Sequence, residues 1–262
     1  NPESMSAYPE IMTLDTKCIK CGRCVEVCPQ SAIAMVDGIR KIDWGKCNQC
    51  LECARVCPSG AIEVVGKCMA VEETVGEREK VRLFYINSGG GVTFSGGEPL
   101  YQWEFVRDVA KQCKERGIHT ALDTSGYTRW EALEPVLKYI DLVLYDIKHL
   151  DPQIHKEGTG VSNELILDNA AKTAARVKTW LRIPLIPSFN DSQYYIKEIA
   201  RLGMRLGVEK ISLLPYHQWG ASKYANLGRD YPFEGIEPPS EEYVQELKDL
   251  TQSYELEVAV GR

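Results

Sequence analysis

Eight of the ten cysteines fall within a window of about 40 residues and repeat one pattern twice. Cys18, Cys21, Cys24 and Cys28 are spaced C-x2-C-x2-C-x3-C ahead of Pro29, and Cys47, Cys50, Cys53 and Cys57 repeat that spacing ahead of Pro58, 29 residues later. Such runs suit [4Fe-4S] cubes, each of which takes four thiolates. Three closely spaced cysteines wrap one face of a cube, and the fourth, carried too far round the turn, binds the neighbouring cube. The spacing therefore assigns Cys18, Cys21, Cys24 and Cys57 to one cluster, and Cys47, Cys50, Cys53 and Cys28 to a second. Zinc would want two cysteine pairs, not two triplets each with a trailing Cys-Pro. Of the remaining thiols, Cys113 falls in line with Phe105 and Val109 at helical spacing and reads as a buried side chain, while Cys68 has no partner nearby in sequence.

Between the two runs, "IAMVDGIRKID" has apolar-rich arms around Asp37-Gly38, a dipeptide suited to the positive φ angles of a tight hairpin. The result is a module of roughly 60 residues, too small for much core and held mainly by its clusters. From about residue 69 the pattern changes to short apolar runs alternating with amphipathic stretches. Strands are expected at 91–95, 119–124, 141–147, 179–186 and 209–215, and helices near 101–116, 129–139, 162–178, 191–206 and 240–254. This alternation implies parallel strands with right-handed crossovers, an α/β sheet or barrel.

Ligands of such folds bind beyond the carboxyl ends of the strands. The unusual residues sit at those ends: Ser95-Gly96-Gly97-Glu98-Pro99, Asp123-Thr124-Ser125-Gly126, Asp146-Ile147-Lys148 and Leu214-Pro215-Tyr216-His217. Each alone also has an ordinary reading. Gly-Gly-Glu-Pro can be a turn with Pro99 starting a helix, Asp123 a cap, Lys148 a solvated charge and His217 a loop histidine. Jointly, at successive strand ends, they outline a site.

Composition narrows the function classes. A net charge of -6, with 31 Lys and Arg scattered among 37 acids, disfavours nucleic acid as a partner. No apolar run approaches the roughly 18–20 residues of a membrane span, so the expectation is a cytoplasmic protein without a membrane partner. Disulfide frameworks belong to short oxidised scaffolds, which 262 residues with clustered cysteines do not resemble.

The segments "NSGGGVTFSGGEPL", "LDTSGY", "YDIKHLD", "RIPLIPSFND" and "LLPYHQWGASKY" together resemble the activating enzymes of glycyl radical enzymes, a branch of the radical S-adenosylmethionine superfamily with an inserted two-cluster ferredoxin domain. The likeness covers essentially the whole chain. It implies a partial (β/α)6 barrel lacking its first strand, and an inserted α+β domain of bacterial ferredoxin type. Residues 1–8 would be a remnant of the cluster loop, 9–67 the ferredoxin-like domain and 68–262 the barrel.

The resemblance further implies S-adenosylmethionine bound by Gly96, Gly97, Glu98, Asp123, Asp146, Ile147, Lys148 and His217, and a third [4Fe-4S] cluster. The implied reaction is reductive cleavage of that cofactor and removal of a hydrogen from a glycine of a partner glycyl radical enzyme. A flavodoxin or ferredoxin would be the electron donor. The family's C-x3-C-x2-C loop has no counterpart in the 262 residues, and the chain opens on Asn-Pro-Glu-Ser, letters that follow that loop in insert-bearing relatives. The expectation is therefore a fragment beginning just past the loop, inactive in S-adenosylmethionine cleavage as it stands. Two alternatives are an iron-sulfur electron carrier on an incomplete barrel, and a radical enzyme acting on a small molecule.

Overall fold

In the computed structural model, which describes residues 2–261, the 29-residue repeat of the cysteine runs becomes a structural repeat. Asn1, first of the Asn-Pro-Glu-Ser run, and Arg262 lie outside the described residues. The chain divides into two units, Asn1–Cys68 with Trp219–Gly235, and Met69–Gln218 with Ile236–Arg262.

The first unit runs β1 (Glu10–Thr13), α1 (Arg23–Glu26), β2 (Ile33–Val36), β3 (Ile39–Ile42), α2 (Glu52–Arg55) and β4 (Ile62–Val65). Strands β2 and β3 form a hairpin, and Asp37 (φ 51°) and Gly38 (φ 71°) supply the two positive angles its turn needs. Strands β1 and β4 form the matching antiparallel pair. Met35 faces Arg40 in the hairpin, and Val64, 29 positions after Met35, faces Ile11 in the other pair. The two halves are thus one motif built twice. Their shared core is small: Ile11, Ile33, Cys53 and Ile62 are buried, with Cys24, Cys28, Cys47 and Cys57 packed against them.

The second unit begins with α3 (Val71–Glu79) and α4 (Arg82–Ser88), and then alternates. Strand β5 (Gly91–Phe94) leads to α5 (Trp103–Glu115), β6 (His119–Thr124) to α6 (Trp130–Leu137), and β7 (Leu142–Asp146) to α7 (Pro152–Thr159) and α8 (Glu164–Ala174). Strand β8 (Thr179–Leu185) is followed by α9 (Gln193–Leu206) and β9 (Lys210–Pro215). The chain next passes through α10 (Ala221–Asn226), which belongs to the first unit, and returns as α11 (Glu241–Gln252) and β10 (Glu257–Val260).

The strands form one open parallel sheet in the order β10-β9-β8-β7-β6-β5, so each new strand is laid beside the one before it. Apolar faces of α5, α6, α8, α9 and α11 close over it, burying Leu122, Val143, Leu181, Ile183, Ile196, Ile199, Ile211 and Leu247 almost completely. Ser192 and Ser240 start α9 and α11 by accepting the backbone N–H groups of Tyr195 and Tyr243. The five expected strands and five expected helices are present. Strand β10 and helices α3, α4, α7 and α10 were not anticipated. Among the described residues, no helix is long and apolar enough to cross a membrane.

The sequence reading placed 219–235 with residues 68–262; in the structure its contacts group it with the first unit. Both carboxylate oxygens of Glu10 accept from Arg229 Nη2 at 2.9 and 2.8 Å, Thr13 Oγ1 donates to the Asn226 carbonyl at 3.1 Å, and Lys223 donates to Glu3 at 2.7 Å. Trp44 packs so closely on Gly228 that a Cβ there would lie 2.0 Å from the indole.

One glycine fixes the turn after β6. Gly126 has φ 69°, and a Cβ would fall 1.7 Å from the Tyr145 hydroxyl, which donates to the Ile166 carbonyl at 2.7 Å from a fully buried ring. Gly126 and Thr128 offer their carbonyls to Asn169 Nδ2 at 2.9 and 2.7 Å. Gly126→Ala is expected to destabilise the chain by about 1–3 kcal/mol through overpacking, read as a lowered unfolding midpoint in urea.

Candidate functional site

The cysteines line two separate small pockets. One is walled by Cys28, Cys47, Cys50 and Cys53, the other by Cys18, Cys21, Cys24 and Cys57. The linings group the thiols as the spacing does. The approach loops repeat too: Lys20 (φ 57°) and Gly22 (φ 77°) in the first run correspond to Gln49 (φ 57°) and Leu51 (φ 67°) in the second. Left-handed residues placed this way fold the backbone into concave nests whose N–H groups favour an anionic guest. Leu51 adopts this angle without being glycine, so the loop shape is imposed by its surroundings.

Burial, reinforced by the neighbouring Cys47 and Cys50, pushes the Cys53 thiol up to about 11, and burial also raises Cys24. Such thiols stay protonated near neutral pH unless a metal takes the sulfur. Among the described residues, no three Cys, His, Asp or Glu side chains draw together as they would around one ion. Tetrahedral zinc would hold its sulfurs about 3.8 Å apart. Each pocket gathers the four thiols that one cube takes.

At the other site, the strand ends of the parallel sheet carry a connected polar network. The Glu98 carboxylate, in the loop after β5, accepts from Thr124 Oγ1 at 2.7 Å, Ser125 Oγ at 2.6 Å, the Ser125 N–H at 3.0 Å and the Leu100 N–H at 3.2 Å. It ties the Gly96-Gly97 loop to the end of β6. Gly96 has φ 141°, an angle that favours glycine, and both glycines are exposed. Asp123 on β6 accepts from Ser95 Oγ at 3.1 Å and pairs with Arg182 of β8 at 2.6 Å.

The same guanidinium lies 3.5 Å from Asp146 at the end of β7, whose other oxygen lies 3.5 Å from Lys148 Nζ. These contacts are ionic; Asp146 Oδ1 is buried without a hydrogen-bond partner among the described residues. Burial raises the Asp146 carboxyl above its ordinary value, assisted by Asp123 and opposed by Lys148 and Arg182. Asp146 Oδ1 is the oxygen facing the Arg182 guanidinium, so charge and not a hydrogen bond compensates it. Ile147 beside it is buried, and Lys148 is about one-third exposed (34%). His217, two residues past β9, is exposed.

Residues 61–202 match the Radical SAM superfamily, and residues 17–61 match a 4Fe-4S dicluster domain. The trans-4-hydroxy-L-proline dehydratase activating enzyme of Clostridioides difficile is 40% identical over all of this chain and 88% of its own length. Pyruvate formate-lyase 1-activating enzyme of Escherichia coli strain K12 is 39% identical over 72% of this chain and 78% of its own. The chain belongs to the radical SAM superfamily, among the activating enzymes of glycyl radical enzymes. A solved domain of a pyruvate-formate lyase-activating enzyme from Bacteroides vulgatus superposes with TM-score 0.56 at 36% identity, over 66% of this chain and 99% of that one. Streptococcus suis SuiB bound to S-adenosylmethionine superposes at 0.58 with 15% identity, over 75% of this chain and 44% of that one, a likeness of fold alone. Iron-sulfur clusters and S-adenosylmethionine are the cofactors of this radical SAM activating enzyme.

Sequence reasoning missed Arg182. It sits between Leu181 and Ile183 in a strand read for its apolar residues, yet it joins the carboxylates of two neighbouring strands. The signal was present: an arginine inside a parallel strand flanked by buried residues needs acids close by in the sheet. In the activating enzyme, Arg182→Gln is expected to cost about 3 kcal/mol at pH 7 by leaving Asp123 and Asp146 uncompensated. Because the Asp146 carboxyl is raised, its ionisation opposes folding as pH climbs above the ordinary carboxylate range. Adding Asp146→Asn should recover part of the loss at pH 7 and little below about pH 4, as read by urea denaturation of the cluster-free chain.

Proposed function

We propose that this activating enzyme installs the glycyl radical of a partner enzyme, with S-adenosylmethionine seated across the strand ends and electrons delivered through two [4Fe-4S] clusters in residues 9–67. The carrying observation is the pairing, in one chain, of two four-thiol cavities with the Ser95–Asp123–Arg182–Asp146–Lys148 network at the rim of a parallel sheet. An electron carrier needs the first and has no use for the second.

Cys18, Cys21, Cys24 and Cys57 hold one cube, and Cys28, Cys47, Cys50 and Cys53 the other. At the rim, Gly96 and Gly97 let backbone groups approach the methionine ammonium, and Glu98 holds that loop in place through Thr124 and Ser125. Lys148 faces the cofactor carboxylate, while Asp146 and Asp123 meet its cationic and hydroxyl groups. Ile147 and His217 complete the nucleotide side. When bound, S-adenosylmethionine supplies the hydrogen-abstracting chemistry; the chain orients it and excludes side reactions. A flavodoxin or ferredoxin serves as donor, and the setting is the cytoplasm.

The test is anaerobic reconstitution of the gene product, followed by incubation with a glycyl radical enzyme, S-adenosylmethionine and a reductant. A glycyl radical signal in the EPR spectrum of the partner is expected, and a reduced protein that never produces one refutes the proposal. The crossed ligand sets make a separate prediction. Cys21→Ser and Cys57→Ser should damage the same cube, so that their combination loses no more than about four irons, one cube's content. Cys28→Ser combined with Cys57→Ser should damage both.

A further inference from the structure

The two cysteine cavities are related by the 29-residue repeat, yet their walls carry different charge. The cavity of Cys18, Cys21, Cys24 and Cys57 is also lined by Lys20, Arg23, Met35 and Arg40. That of Cys28, Cys47, Cys50 and Cys53 is lined otherwise by Ile11, Gln30, Ile33, Asn48, Gln49 and Leu51, with no ionisable side chain besides its cysteines. The contrast is sharpest at one equivalent position. Arg40 pairs with Met35 across the β2–β3 hairpin, and Ile11 pairs with Val64, the repeat partner of Met35, across β1 and β4. The repeat thus sets arginine against one cavity and isoleucine against the other.

We propose that Arg40 holds the cluster of Cys18, Cys21, Cys24 and Cys57 at a higher reduction potential than its twin, so that the first electron to enter the pair resides there. The inference rests on the ligand assignment above and goes beyond it. A cube gains negative charge on reduction, and net charge, sulfur hydrogen bonds and solvent exposure set its potential. Lys20 and Arg23 are exposed, so water and salt screen them. The Arg40 side chain is only 2% exposed, and its field reaches the cavity through low dielectric. Its partner Asp15, 2.5 Å away, is 71% exposed and offsets that charge only in part. Solvent acts in the same direction, since Cys21 is exposed where its repeat counterpart Cys50 is half-buried and Cys53 is buried.

The experiment is an EPR-monitored redox titration of the anaerobically reconstituted chain. Wild type should show two resolved midpoints. Arg40→Ile, which makes the first cavity resemble the second, should shift the higher midpoint negative towards the lower and leave the lower in place. Asp15→Asn should shift the same midpoint positive, and Arg40→Lys should keep most of the wild-type gap. The signal that moves must be the one that Cys21→Ser, and not Cys50→Ser, removes. Unchanged midpoints in Arg40→Ile, or movement of the Cys50 signal instead, overturn the inference while leaving the clusters assigned. If Arg40→Ile fails to take up iron, an Asp15→Asn protein with wild-type midpoints overturns it. Wild-type protein that takes up fewer than two cubes overturns the ligand assignment and this inference together.

Discussion

A parallel sheet cannot turn back on itself. Every strand must be followed by a crossover that carries the chain to the opposite end before the next strand begins, so all loops that leave strands gather on one rim. In this activating enzyme that constraint places the Gly96-Gly97-Glu98 loop, Asp123, Asp146 and Lys148 side by side, although more than 50 residues separate the first from the last. The rim then has to be stabilised against its own charge. Arg182 does this from below by joining two carboxylates of adjoining strands, and Glu98 does it from above by gathering four donors from its own loop and the end of β6. Asp146 enters this network through ionic contacts alone, Arg182 facing one of its oxygens and Lys148 the other.

The legible parts of this architecture were those written in periodicity and spacing. Strand β6 coincides with the expected 119–124, and the apolar stripe Val244, Leu247 and Leu250 marks α11. Asp37-Gly38 announced the hairpin because few other dipeptides accept two positive φ angles in succession. Strand β10 escaped notice because four residues are too few to show a period, and its place depends on pairing with β9. Helix α7 was missed because its start is set by Asp151 capping Gln153 and Ile154, a local signal that an apolar count ignores.

Other features are tertiary by nature. The partnership of Arg229 with Glu10 links positions 219 apart in sequence, and no window-based reading brings them together. The left-handed angle at Leu51 was equally hidden, since its sequence counterpart Gly22 accepts such an angle freely and leucine does not. Here the repeat, not the residue, carried the information. Strand-end residues were visible as types, but which of them touch was not: Asp123 and Asp146 converge only through an arginine that belongs to neither of their strands.

The excursion Trp219–Gly235 bears on how the protein comes into being. Its neck is held where Gln218 Nε2 donates to the Ile236 carbonyl at 2.9 Å, and its contacts run to Glu3, Glu10, Thr13 and Trp44. A ribosome makes each of those four residues at least 184 residues before it makes Gly228 and Arg229. The first unit therefore waits, with its thiols already outside the exit tunnel, until that intervening stretch has been synthesised before its contacts with Trp219–Gly235 can form. During that interval the nascent chain depends on iron insertion, or on shielding from oxidants, to keep those sulfurs from wrong pairings.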